Sequence, residues 1–400
     1  MKLSSALVVL FLGVGNFLNA QHIEGPSLGN GIFNVIGKDS TFTMKMGLQL
    51  QFQGAAQWEE QDGSFSDAQS QFLIRRARLK FDGFVYSPKL TYKVALGLSN
   101  RDVSGASIYT GNAPRYILDA VMKWNFYRNF ELWFGQTKLP GDLETLTSST
   151  NLQFVDRSLL SKTYTIDRDL GLQLHHQTQL SEKILLKEAF AVSQGEGRNI
   201  TYGNLGGLQF TSRLELYPFG DFNKGGAFVG GDLFREPTPK LAVALAYDYN
   251  NNAVKTRSNQ GAYMITDAGL HQTDISTVYI DAVFKYRGFS LLAAFAERTA
   301  DEPIAKNADG IDTGYVVEVG TGLNVQLGYV LENNWELSGR YSNITPETPI
   351  TGDPSENQYT LGVSKYILGH KLKVQSDFSY LDVTGSDDQL LFRLQFAVQF

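Results

Sequence analysis

The chain reads as an all-β protein, a closed 16-stranded antiparallel transmembrane β-barrel whose third outer loop folds inward. Three observations predict this. Apolar and polar residues alternate over some sixteen separate segments, the connections between them alternate long and short, and a secretion-type leader precedes them all. Alternation by itself would also suit a soluble sandwich, because a period of two only sorts side chains between two faces. A sheet in lipid must satisfy every backbone group internally, so it closes. Barrels of the bacterial outer membrane then show short turns on one rim and long loops on the other.

The last strand carries the pattern most plainly. Leu390, Phe392, Leu394, Phe396, Val398 and Phe400 fall on one face, with Arg393, Gln395 and Gln399 on the other. The series Tyr92, Val94, Leu96, Leu98; Leu241, Val243, Leu245, Tyr247, Tyr249; and Val278, Ile280, Ala282, Phe284, Tyr286 is assigned to lipid in the same way. The predicted strands are 41–58, 70–86, 90–100, 115–126, 130–138, 167–179, 183–194, 205–218, 240–251, 275–287, 288–298, 315–329, 333–343, 356–368, 370–382 and 389–400. An apolar patch at Phe228–Phe234 is assigned to a connection, since such a barrel closes on an even strand number. Two positions fit poorly: Glu188 falls on the greasy phase of its strand, and Trp133 on the inner phase of its own.

Connections after the odd strands are long: 59–69, 101–114, 139–166, 195–204, 252–274, 299–314, 344–355 and 383–388. Those after the even strands are tight, as at Ser87-Pro-Lys89, Arg287-Gly288 and Gly369-His370, with 219–239 the one exception. The long set is expected outside the cell and the short set in the periplasm.

Bulk features agree. Lys2, the apolar run Ala6 to Val14 and the small residue Ala20 make 1–20 a signal peptide, too short to span a bilayer. Residues 21–40, Gly-rich and without heptads, read as a periplasmic lead-in, and 41–400 as the barrel. No run approaches ~18 apolar residues. Without cysteine there is no disulfide and no thiolate metal site. The 26 Phe and 19 Tyr against 11 Pro suit strands with interfacial aromatic girdles. A formal charge of −6 argues against nucleic acid as a partner. Outer-membrane lipid and lipopolysaccharide are the expected surroundings, and the C-terminal strand is the segment expected to meet the barrel-assembly machinery. No cofactor is implied.

Between Ile74 and Asp82, a period of two places Arg76, Arg78, Lys80 and Asp82 together, opposite Ala77, Leu79 and Phe81. Successive charges lie about 6.6 Å apart, and in water they repel by only about 0.6 kcal/mol per neighbour. Facing mid-bilayer lipid each would cost roughly 2–4 kcal/mol, so they belong in the lumen. Lys45, Lys93 and Lys123 join them. The inward phase of the first four strands thus carries six basic residues against Asp82 and Asp119. On the other twelve, Arg213, Lys285, Arg287, Arg298, Arg340, Lys371, Lys373 and Arg393 roughly balance Glu131, Glu215, Asp248, Asp281, Glu318, Glu336 and Asp377. Two readings stay open: the charges pair across the lumen and keep it wet, or the basic wall favours anions by replacing part of their hydration.

Segment 139–166 is apolar for a surface loop, with Leu143, Leu146, Leu152, Phe154, Val155, Leu159 and Leu160. It is expected to fold inward and narrow the channel, the alternative being packing on partner subunits. Here the sequence resembles the phosphate-selective porin O and P family. The resemblance rests on Phe72-Leu-Ile-Arg-Arg-Ala-Arg-Leu-Lys-Phe-Asp-Gly83, Ile117-Leu-Asp-Ala120, Gly135-Gln-Thr-Lys-Leu-Pro140, Ser148-Ser-Thr-Asn-Leu-Gln-Phe-Val-Asp-Arg-Ser158 and Asp167-Arg-Asp-Leu-Gly171. Leu241 to Tyr249 and the terminal Phe400 match as well. It implies a trimeric porin passing phosphate or other small anions, with Arg76, Arg78, Lys80, Lys138, Arg157 and, just after the loop, Arg168 on the anion path. The chain also departs from the lysine-rich third loop of the phosphate-binding members. Only Arg157 and Lys162 stand there against Asp142, Glu144 and Asp156, and Asp142 and Glu144 are placed to neutralise Lys138. A general porin remains compatible, as does a non-conducting adhesin or scaffold.

No catalytic constellation emerges. There is no His-Glu-x-x-His, no phosphate-cradling Gly-Lys-Ser/Thr loop and no Gly-x-Ser-x-Gly elbow. A barrel enzyme would need clustered Asp, His or Ser at the outer rim. Of the five histidines His22, His175, His176, His271 and His370, the adjacent pair points to opposite faces and cannot chelate. The acidic run Asp301, Glu302, Asp309 and Asp312 reads as a solvated loop before a divalent-ion site.

Overall fold

The computed structural model describes residues 22–24, 28–61, 63–65 and 67–400, so the expected signal peptide lies outside the described residues. The sixteen strands are β1 Thr43–Gln61, β2 Gln69–Val85, β3 Ser87–Gly97, β4 Ile117–Tyr127, β5 Phe130–Lys138, β6 Arg168–Gln179, β7 Leu185–Ser193, β8 Gln209–Tyr217, β9 Lys240–Ala253, β10 Thr273–Tyr286, β11 Phe289–Ala300, β12 Gly320–Val330, β13 Trp335–Pro346, β14 Glu356–Tyr366, β15 Leu372–Val383 and β16 Gln389–Gln399. Each pairs antiparallel with the next, and β16 returns to β1 from Gln389↔Glu59 to Gln399↔Gln49. Closure leaves no open edge in the lipid zone, as a spanning sheet requires.

Side chains sort by phase. On β16, Phe392, Leu394 and Phe396 are exposed on the outside while Arg393, Gln395 and Ala397 are buried inside. On β9, Val243, Leu245 and Tyr247 face out, and Ala242, Ala244, Ala246 and Asp248 face in. The two misfits resolve differently. Trp133 does point inward, where its Nε1 donates to Glu131 (2.9 Å) and its ring stacks on His175 at 3.9 Å. Glu188 does point outward, paired at 2.6 Å with His176, which stacks on Phe130.

One irregularity matters for the lumen. Gln51 on β1 faces Arg76 but Phe52 faces Ile74, which leaves Arg75 as an extra residue in β2. A β-bulge of this kind shifts the phase. Phe72 and Ile74 face out before it, Ala77 and Leu79 after it, and Arg75 and Arg76 are both buried inside.

Below the C-terminus the lead-in extends the sheet, since Phe33–Ile36 pairs with Thr43–Met46 of β1. The connection 218–239 contains no strand; it forms a 3₁₀ turn at Asn223–Phe228 and enters the barrel. Arg287 and Lys371, both counted above as lumenal, sit in inner-rim turns. Arg287 lies over Tyr286 and Lys371 donates to Asn30, because each is left outside the strands that flank its turn.

Candidate ion pathway

The site is built around the third loop, which does fold inward. After Asn100–Val103 (α1) in the second outer loop, it supplies two short helices, Leu143–Leu146 (α2) and Leu159–Tyr164 (α3). Each starts on a side-chain cap: Asp142 accepts from the Thr145 N–H at 2.9 Å and Ser158 from the Ser161 N–H at 3.2 Å. Leu159, Leu160 and Tyr164 pack on Ala246, Tyr279, Ala296 and Ile344 of the far wall. Burying such side chains contributes about 1.5–3 kcal/mol each. Arg298 Nη2 and the Tyr279 hydroxyl both donate to the Tyr164 carbonyl, at 2.5 and 2.6 Å.

On the near side, Asp156 fastens the loop to β2 and β16. It accepts from Arg75 at 2.5 Å and stands 3.6 Å from Arg76 and 3.5 Å from Arg393. Ser149 is held by Gln49 and Arg78, both at 3.0 Å. The loop therefore lies across the lumen against β9–β15 and the inner part of β1. The open passage runs mainly between it and β2–β8, reaching β14–β16 and the end of β1 at its outer end.

That passage is a cavity of about 1230 Å³, reaching from Gln57 and Gln389 at the outer end to Asn129 at the inner rim. The residues bordering it include seventeen Lys and Arg against seven Asp and Glu. Sequence-named Arg76, Arg78, Lys80, Lys93, Lys123, Lys138, Arg157 and Arg168 all border it. Lys45 does not: it sits three residues into β1, beside Asn34 of the lead-in and across from Asp82, below the passage.

Charge pairing divides these cations. Arg78 forms a two-pronged bond with Asp102 of α1 (2.6 and 2.8 Å). Burial opposes ionisation of Asp102, but Arg78 outweighs it and holds this carboxyl below the usual range. Lys93 and Arg168 share Asp119, each at 3.0 Å. Lys80, Lys123, Lys138 and Arg157 make no ion pair within 4.0 Å among the described residues. Lys123 lies 3.4 Å over the Trp133 ring. Lys138 donates to the carbonyls of Leu146 and Thr147, and Arg157 to those of Glu144 and Thr147.

The expected neutralisation of Lys138 does not occur, because its supposed partners serve the loop. Asp142 caps α2 and accepts from Ser161 and Thr165, while Glu144 accepts from the N–H and hydroxyl of Ser158. Sequence reasoning missed Arg75, which strict alternation turns to lipid. The phase switch from Phe72 and Ile74 to Ala77 and Leu79 was the available signal. It also missed Arg115 and Arg198 at the outer mouth, where Arg198 donates to the carbonyls of Arg115 and Asp102; irregular loops carry no period to read. No three His, Asp or Glu converge on a possible metal site among the described residues, the 301–312 run included.

A closed sixteen-stranded barrel with a charged passage narrowed by its third loop defines a porin of the bacterial outer membrane. The family model described as phosphate-selective porin O and P matches residues 42–221, from the start of β1 past the end of β8. No curated protein matches the sequence. Among solved structures, an anion-selective porin from Comamonas acidovorans is similar at 10% identity and TM-score 0.54, over 90% of this chain and 100% of that one. OmpF of Salmonella typhi, in complex with daunomycin, aligns at 13% identity and TM-score 0.55, over 90% and 98%. OmpT of Vibrio cholerae in its trimer form aligns at 12% identity and TM-score 0.52, over 89% and 99%. At such identities these likenesses concern the fold.

Proposed function

We propose that this porin, working as a homotrimer, passes small hydrophilic solutes by diffusion and favours anions such as phosphate. The observation that carries this is the set of cations bordering the passage with no ion pair within 4.0 Å among the described residues, Lys80, Lys123, Lys138 and Arg157 among them. One unit charge attracts an anion 4 Å away by about 4 kcal/mol at an effective dielectric of about 20. That enriches anions, and several such charges spread along the wall let each ion move on instead of being trapped. Lys93 and Arg168 contribute less because they share Asp119, and Lys45 has no part in this path. The porin similar in fold from Comamonas acidovorans is described as anion-selective, and the OmpT neighbour as a trimer, which agrees with the reading.

A general porin is the second reading. The pairs Arg78–Asp102 and Arg393–Asp377 favour it, since they cancel charge that would otherwise select. Single-channel reversal potentials in a salt gradient, with phosphate competing against chloride, decide between them. Anion preference that falls in Lys80→Glu supports the first reading. A neutral channel supports the second, and clear cation preference defeats the anion assignment. Arg78→Glu is expected to move the potential toward cations too, because it leaves two carboxylates where one ion pair stood.

A further inference from the structure

We infer that the inner connection 218–239 is a built-in stopper: latched to the third loop by His370, it closes the charge-balanced half of the lumen and so determines selectivity. The inference deepens the anion-channel reading and rests on it. After Tyr217 the chain does not make a tight turn but rises into the barrel. Lys285 Nζ on β10 donates to the carbonyls of Gly226, Val229 and Gly231 (2.8, 2.5 and 2.5 Å), a cage that pins the segment to the wall. Phe222 and Ala227 join a buried apolar cluster with Tyr217, Ala242, Val283 and Leu143, and Leu143 belongs to the third loop.

The two intrusions meet end to end. Gly230 N–H donates to the Asn151 carbonyl at 2.6 Å. A Cβ at position 230 would stand 2.4 Å from the Gln153 nitrogen, so only glycine allows this approach. His370, on the turn between β14 and β15, has Nε2 at 2.9 Å from the Gly230 carbonyl and Nδ1 at 3.1 Å from the Thr150 carbonyl. With Lys373 Nζ 3.1 Å from Nδ1, the ring donates through Nε2 to the Gly230 carbonyl and packs its Nδ1 edge against Thr150, so one imidazole touches both intrusions. Lys373 adds a bond to the Leu152 carbonyl (2.8 Å), and Gln153 donates to Glu336 (2.7 Å).

Between the third loop, this segment and the wall there remains a void of only about 30 Å³, room for about one water. The wall covered there carries Asp281 and Glu336 against Lys285 and Lys373, a set with no sign preference. Left open, it would be a second, non-selective path in parallel with the basic one. Sealing it confines permeating ions to the wall of β2–β8.

The absence of cysteine makes a direct test clean. Ser290, buried on β11 and bonded by Gln153 at 3.2 Å, lies behind the stopper, whereas Ser148 borders the open passage. In the full-length channel, Ser290→Cys is expected to react with an anionic methanethiosulfonate about 100-fold more slowly than Ser148→Cys. Adding His370→Ala is expected to speed that labelling, raise single-channel conductance about twofold and move the reversal potential toward zero. Equal labelling rates in the otherwise unaltered barrel would overturn the inference, whether or not His370→Ala folds. So would a folded His370→Ala channel with unchanged labelling, conductance and selectivity. Protection of the Ser290→Cys thiol in a channel lacking anion preference would instead count against the proposed function while leaving the stopper in place.

Discussion

Lys123 and Lys285 are both lumenal lysines on barrel strands, yet they sit in opposite halves of the molecule. Lys123, on β4, lies over Trp133, makes no ion pair within 4.0 Å among the described residues and borders the open passage. Lys285, on β10, is 3% exposed and gives all three of its donors to backbone carbonyls of the inner connection. The alternation that turns both inward is the same. What differs is what meets them there: open space on the β2–β8 side, protein on the β9–β15 side. A charged residue in a barrel lumen is therefore an ion-path residue only where the lumen is vacant, and elsewhere it is part of the packing.

The sharpest way to break this comparison is to make the same substitution in both halves. Lys285→Met leaves three carbonyls without their donor, at about 1–3 kcal/mol each. It should lower the temperature at which the folded barrel loses its compact gel mobility by many degrees. Lys123→Met should leave that temperature nearly unchanged and instead weaken anion preference in the reversal potential. Equal thermal behaviour of the two variants would show that the halves are not distinct.

Asp156 tests the boundary between them. Removing its charge in Asp156→Ala leaves Arg75, Arg76 and Arg393 without their shared carboxylate, a loss of about 3 kcal/mol or more for a buried cluster. The third loop should then undock from the near wall, seen as flickering between conductance levels. Steady traces from this variant would mean that packing of Leu159, Leu160 and Tyr164 alone holds the loop.

Asp142→Ala is expected to act more weakly, costing about 1–2 kcal/mol as a lost helix cap. Because Asp142 does not touch Lys138, selectivity should stay as it was. An increase in anion preference would instead reveal that the carboxyl offsets Lys138 at long range.

The barrel is legible in the sequence because period two and loop rhythm are imposed by lipid on every strand alike. All sixteen strands can therefore be found, as can Arg76, Arg78 and Lys80, which follow the period. Arg75 is misplaced by that reading since a bulge breaks the period with one residue, and the outward-facing phenylalanines and leucines around it record the break only indirectly. The fate of Asp142 and Glu144 is unreadable for a different reason. Nearness in sequence to Lys138 says nothing about which N–H or hydroxyl a loop carboxylate will meet once the loop has folded. The exceptional length of 219–239 is visible, but that it enters the lumen and meets the third loop depends on contacts with residues as distant as Lys285 and His370.

The smallest effect concerns acid. Burial works against ionisation of Asp156, but Arg75, Arg76 and Arg393 outweigh it, and the carboxyl is held below the ordinary aspartate range. A depressed folded value means the contribution to loop docking is complete above the unfolded aspartate value of about 3.9 and is lost only as pH falls through the lower folded one. Between about pH 8 and pH 5 the Asp156 clamp should therefore contribute no change in channel flicker. If flicker set in near pH 6 in the native channel but not in Asp156→Ala, the clamp would have to be protonating early, and the arginines would not be holding that charge as their distances imply.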